Sequence, residues 1–212
     1  MSQIGGRYLK RVILQTVFMF LLASLYAQEH TPALKRFALI IGSNDGGRER
    51  PLLEYAASDA QALADLMVEI GGVEAVNSIL LKNPGRKILD NAFTDLREKI
   101  EAAQGKAKRQ EFILYYSGHS DEKGIYLKDE LYPYEELKKS INYTGADVHI
   151  AILDSCFSGV FTRFKGGTKD APFLMDDSVK TEGFAVLTSS SENEVAQESD
   201  TIGGSFFTHY LI

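Results

Sequence analysis

Apolar residues fall into two kinds of run along this chain. Continuous runs occupy Arg36 to Asn44, Phe112 to Tyr116, Val148 to Leu153 and Gly183 to Ser190. An unbroken apolar stretch of that length suits a parallel strand covered on both faces. Periodic runs lie between them. Leu53, Ala56, Ala60, Leu63, Met67 and Ile70 recur at spacings of three and four, as do Ile88, Ala92, Leu96 and Ile100 with Leu89 and Phe93 beside them. Each series is the one-sided stripe of an amphipathic helix. Ser58 is suited to cap the first helix and Asp59 to sit in its first turn, with Gly71-Gly72 ending it. Asn77 to Leu81 predicts a short strand before the turn Asn83-Pro84-Gly85. Ile125 to Tyr132 reads as a hairpin, and Pro133 opens a short helix whose apolar side is Leu137 and Ile141. Strands alternating with such helices predict an α/β fold, a mostly parallel central sheet with helices on both faces.

The first residues do not belong to that pattern. Arg7, Lys10 and Arg11 precede an apolar run from Val12 to Leu22, then Ala23-Ser24-Leu25-Tyr26-Ala27. A basic start, a short apolar core and a small-residue exit predict a cleaved secretory signal over 1–27, hence export and no stable membrane association afterwards. Residues 28–35 read as a linker and 36–212 as one domain. The last segment, Ser205 to Ile212, reads as a helix start, so the chain is expected to be a piece of a longer protein.

Charge and cysteine content narrow the chemistry. The formal net charge is −6. Removing 1–27 takes away three basic and no acidic side chains, giving 20 − 29 = −9. No basic face stands out, so nucleic acid is not an expected partner. One cysteine excludes an internal disulfide and disfavours a redox role, which would want a second thiol. No metal site and no cofactor are expected.

That cysteine closes a strand. Val148 to Asp154 runs into Ser155-Cys156-Phe157-Ser158-Gly159, and Phe112 to Tyr116 runs into Ser117-Gly118-His119-Ser120. Sites in open parallel sheets gather beyond the carboxyl ends of strands. Consecutive strands are often neighbours, which would set Cys156 and His119 about one strand spacing, roughly 5 Å, apart. An imidazole beside a thiol activates it as a nucleophile. The N–H groups of Gly118 and Cys156 are candidates for an oxyanion hole. No third residue is evident. His30, His149 and His209 have blander readings as a flexible, a packed and a packed or solvated residue.

Tyr116-Ser117-Gly118-His119, followed by Leu153 to Gly159 and a Gly-Ser-Phe-Phe-Thr tail, resembles the caspase-like cysteine peptidases, and within them the bacterial metacaspase-like branch. The resemblance implies a caspase-like three-layer sandwich and a peptide or protein substrate. This chain has Ser120 where the family commonly has Gly, and Phe157 where metacaspases often have His. It has Asp-Ser-Cys at the nucleophile and a gap of 156 − 119 = 37 residues from the His. Both differ from the animal caspase signature, which speaks against cleavage after aspartate. A carboxylate two residues before the nucleophile, Asp154, favours Arg or Lys instead. The resemblance adds Asp59 and Ser117 to that substrate pocket. It also implies self-cleavage in the basic loop 162–181 (Arg163, Lys165, Lys169, Lys180) and calcium activation, for which Asp176-Asp177 is the nearest acidic pair. A caspase-like module that binds peptides without turnover is the alternative reading.

Overall fold

Among the described residues, five parallel strands form the central sheet. The computed structural model describes Gln15, Met19 and residues 33–156, 183–189 and 197–212. β1 (Leu34–Ser43) pairs with β2 (Val73–Lys82) on one side and β3 (Arg109–Gly118) on the other. β3 pairs in turn with β6 (Val148–Asp154), and β6 with β7 (Gly183–Thr188). A small antiparallel hairpin, β4 (Gly124–Leu127) with β5 (Glu130–Pro133), leaves the end of β3. A second two-stranded ribbon joins β8 (Glu198–Ser199) to β9 (Gly204–Ser205).

Helices cover both faces, as the alternation of runs requires. On one face α2 (Arg86–Ala102) and α3 (Tyr134–Tyr143) bury Leu89, Phe93, Leu96, Ile100, Leu137 and Ile141 against Phe37, Leu39, Phe112 and Leu114. On the other, α1 (Ala56–Glu69) buries Ala60, Leu63 and Ala64 against Ala38, Ile40, Ile113 and Tyr115. The short α4 (Phe206–Leu211) adds Phe207 and Leu211 to that side. β1 and β3 are buried along nearly their whole length. This explains their unbroken apolar runs: each fully buried Leu, Ile or Phe contributes roughly 1.5–3 kcal/mol.

Several boundaries differ from expectation for identifiable reasons. β3 begins at Arg109, because polar Gln110 and Glu111 are also in the ladder. Glu111 is buried there with Arg36 at 2.9 Å and Arg109 at 2.5 Å on its two oxygens, a paired carboxylate that hydropathy cannot place inside. β2 is twice the length read from its apolar residues, since its first half is an irregular outer stretch with Glu74, Ala75 and Val76 exposed. Ser58 does not cap α1: its hydroxyl donates back to Tyr55 O. The N–H groups at and just before the start of that helix are met from elsewhere. Asn44 Oδ1 accepts from Ala57 N at 2.7 Å, and the Glu198 carboxylate accepts from Glu54 N and Tyr55 N at 3.0 and 3.1 Å. Leu53 precedes the helix and Ile70 is its C-cap, exposed. Residues 1–14, 16–18, 20–32, 157–182 and 190–196 lie outside the described residues. With them lie almost all of the expected signal, the loop 162–181 with its four basic residues, and Asp176-Asp177.

Candidate active site

The carboxyl ends of β3 and β6 lie side by side. Ser117 is the register partner of Asp154, so Gly118-His119 and Ser155-Cys156 leave adjacent strands at the same level. Beyond the ladder a side chain ties the two ends together: the Ser120 hydroxyl donates to the Cys156 carbonyl. Tyr134, at the start of α3, lies against this group. Its hydroxyl is pushed up to about 12 by burial, and the Cys156 thiol, Ser120 and Ser155 are among its neighbours. Cys156 is half-buried.

His119 is held through both its backbone and its ring. Its carbonyl accepts from Tyr126 N at 2.9 Å and from the Tyr116 hydroxyl at 2.7 Å, and that hydroxyl also lies 2.8 Å from Tyr126 O. Burial raises the Tyr116 hydroxyl far above its ordinary range, so it stays a donor. Gly118 has a structural cause here. A Cβ at this position would stand 2.5 Å from Tyr116 Oη and 2.9 Å from Ser43 O. The ring is bounded by the loop after β1. Gly46 backs onto it so closely that a Cβ there would meet His119 Cδ2 at 2.4 Å. His119 Nε2 lies 2.8 Å from the Pro51 carbonyl. A carbonyl only accepts, so Nε2 carries a hydrogen, which in the neutral form of the ring leaves the lone pair on Nδ1. Pro51 is the orienting group that sequence reasoning missed. A main-chain carbonyl leaves no residue-type signal.

The remaining predicted residues also gather at these strand ends, but inside the protein. Asp59, Ser117 and Asp154 are all buried. Asp59 is in the first turn of α1, as expected, yet its carboxylate faces inward and accepts from Ser205 N at 3.0 Å. Asp154 Oδ2 accepts from Thr208 Oγ1 at 2.8 Å and from the Ser205 hydroxyl. Thr208 Oγ1 in turn meets the Tyr115 hydroxyl. Burial pushes the Asp59 carboxyl from 3.8 up to about 6, partly offset by its Ser205 N–H bond, and Asp154 and Glu198 add repulsion. Burial likewise raises Asp154, against the pull of its hydroxyl partners. Ser205 and Thr208 belong to the Gly-Ser-Phe-Phe-Thr tail. Their bonds to Asp154 have no signal in the sequence, which gives no sign that the tail folds back onto it. Among the described residues, no cluster of three His, Cys, Asp or Glu side chains could hold a metal ion, and no helix is long and apolar enough to cross a membrane.

His149 and His209 fit their bland readings. His149 bonds Thr144 Oγ1 at 3.2 Å and stacks on Phe184, with burial lowering its basicity. His209 is exposed against Tyr210. His30 lies outside the described residues.

A three-layer α/β sandwich with a thiol and an imidazole at adjacent strand ends is the architecture of a clan of cysteine peptidases. The sequence profile of the caspase domain matches residues 35–212, and the chain belongs to that family. The crystal structure of caspase-1 from Spodoptera frugiperda is similar in fold, with a TM-score of 0.56 at 13% identity over 88% of this chain and 71% of that one. No curated protein sequence matches the chain.

Proposed function

We propose that the protein is a cysteine endopeptidase of metacaspase-like type that cleaves after Arg or Lys, with Cys156 as nucleophile and His119 as its base. The observation that carries this reading is the commitment of His119 Nε2 to the Pro51 carbonyl, on a strand end tied to Cys156 through Ser120. That bond leaves Nδ1 as the ring's proton acceptor. In this reading the Cys156 thiol gives its proton to His119, and the thiolate attacks the scissile carbonyl carbon. The C–S bond forms and the carbonyl oxygen takes the negative charge, which the N–H groups of Gly118 and Cys156 receive. Collapse breaks the C–N bond, and the imidazolium protonates the departing amine. Water then attacks the thioester, His119 takes its proton, and the thiolate leaves.

The preference for a basic residue is supported by charge. Asp154 and Glu198 raise the cost of ionising Asp59, and Glu198 raises that of ionising Asp154. A guanidinium or ammonium entering there relieves the repulsion, whereas an acidic side chain adds to it. Because Asp154 is already bonded by the hydroxyls of Ser205, Thr208 and Ser189, the incoming cation has chiefly Asp59 to pair with. Export through a signal over 1–27, self-cleavage in 162–181 and calcium activation belong to the same reading and rest on the sequence.

Fluorogenic peptides differing only in the residue before the scissile bond test specificity, together with labelling by a thiolate-directed probe. Hydrolysis after Arg or Lys, lost in Cys156→Ala and His119→Ala, is the expected result. Preferential cleavage after Asp would overturn the specificity. Labelling of Cys156 that is indifferent to His119→Ala would overturn the dyad and favour a peptide-binding module.

A further inference from the structure

Arg50 has no place in the chemistry above, yet it lies between the two pieces of chain that hold His119. It sits in the loop that supplies Gly46 and Pro51. Its Nη1 donates to Gly46 O at 3.4 Å and its main-chain N to Gly47 O at 3.2 Å, which closes the loop on itself. The guanidinium also crosses to the hairpin that follows His119. Its Cζ lies 3.4 Å from the centre of the Tyr126 ring, face-on, and Nη2 lies 3.8 Å from Asp121 Oδ2. Tyr126 and Asp121 are fixed in turn. The Tyr126 hydroxyl donates to Asp121 Oδ2 at 2.6 Å, and Asp121 Oδ1 accepts from Lys123 N and Gly124 N. Tyr126 N donates to His119 O.

His119 therefore lies in a clamp with two jaws. One jaw, the hairpin, holds its backbone; the other, the Gly46–Pro51 loop, holds its ring. Among the described residues, Arg50 is the side chain that joins the jaws by both stacking and charge. A planar guanidinium does this where an ammonium does it less well, because it can stack and hydrogen-bond in its plane together.

We propose that Arg50 is a positioning residue for His119. By clamping the loop to Tyr126 and Asp121, it keeps the Pro51 carbonyl on Nε2–H and so holds the ring in the tautomer with Nδ1 free. This rests on the reading of His119 as the base, and its test is chosen to separate the two.

The test uses the full chain with ¹⁵N-labelled histidine, His119 being assigned by its loss in His119→Gln. In the wild type the neutral form of His119 is expected as a single tautomer protonated on Nε2. In Arg50→Ala, and independently in Tyr126→Leu, the ring signals should move toward a mixture of both tautomers. Turnover of a basic fluorogenic peptide should fall on the order of tenfold in kcat, with KM within about twofold, since displacing a reacting group by 1 Å costs up to roughly a hundredfold. Arg50→Lys should recover part of both. Arg97→Ala removes a comparable stack on Tyr143, 3.9 Å away at the far end of α3, and should change neither. If Arg50→Ala and Tyr126→Leu keep the wild-type His119 signals and kcat, or if the neutral form of wild-type His119 is protonated on Nδ1, the proposal is overturned. If the tautomer shifts as expected but the wild type cleaves no peptide, the positioning role stands and the peptidase reading fails.

Discussion

Asp59 is the residue at which function and stability should pull in opposite directions. It is buried, its carboxyl stands at about 6 instead of 3.8, and burial is the largest cause, with Asp154 and Glu198 adding repulsion. Moving a carboxyl by that much costs the ionised form about 3 kcal/mol. The folded chain binds this proton more tightly than the unfolded chain. Between pH about 4 and about 6 the folded state therefore holds more protons, and stability falls as pH rises through that window. Above about 6 the full cost is present and no longer changes. Asp59→Asn retains an acceptor for Ser205 N and removes the charge. Urea unfolding of wild type and variant, pH by pH, reads the effect as a difference, which includes the relief of the repulsion from Asp154 and Glu198. The variant should match the wild type near pH 4 and exceed it by up to about 3 kcal/mol from pH 6.5 upward. With a urea slope of about 2 kcal/mol per M, that is a midpoint shift of about 1.5 M. A difference that does not vary with pH, or a variant less stable at pH 7 than at pH 4 by as much as the wild type, would refute the reasoning.

Other expectations follow from the same contacts. If Asp59 helps to bind a basic side chain, KM for an Arg peptide should fall as pH rises through about 6, the sign set by ionisation of a raised carboxyl; initial-rate kinetics should find that limb missing in Asp59→Asn. Ser120→Ala removes the donor on the Cys156 carbonyl, and chemical denaturation should register a loss of about 1–3 kcal/mol. Ser120→Gly adds the entropy of a glycine, about 0.5–1 kcal/mol more. Gly46→Ala would set a methyl 2.4 Å from His119 Cδ2; the ring must move, and a slower reaction of Cys156 with iodoacetamide at pH 7 should report it. Tyr115→Phe removes a hydroxyl that meets both Thr208 Oγ1 and Ser117 while Thr208 keeps its bond to Asp154, so thermal unfolding should show about 1–3 kcal/mol lost.

The sheet was legible because β1, β3 and β6 are buried on both faces, and their apolar runs have no other explanation. What periodicity could not see was where polar residues enter the ladder, as Glu111 does between two arginines. Nor could it see that the open end of α1 is met by Asn44 and Glu198 rather than by its own Ser58. The candidate site divides along the same line. His119 and Cys156 stand out as residue types at strand ends, and pairing of β3 with β6 follows from their order in the chain. Pro51 acts through its carbonyl and Gly46 through its lack of a side chain, so neither residue type announces the contact. Ser205 and Thr208 look like an ordinary helix start in sequence. Only the fold back of α4 turns their hydroxyls onto Asp154.

The strand order β2-β1-β3-β6-β7 has a kinetic consequence. Every pairing in this sheet is parallel, so each must wait for a crossover to close, which makes such a sheet slow to assemble. The groups gathered at its carboxyl edge come from widely separated chain: Pro51 meets His119 across 68 residues and Asp59 meets Ser205 across 146. No short piece of the chain contains the arrangement. A nascent or unfolded copy thus carries a thiol and an imidazole but not the machinery, and whatever reactivity the finished edge has is timed by the last crossover to dock.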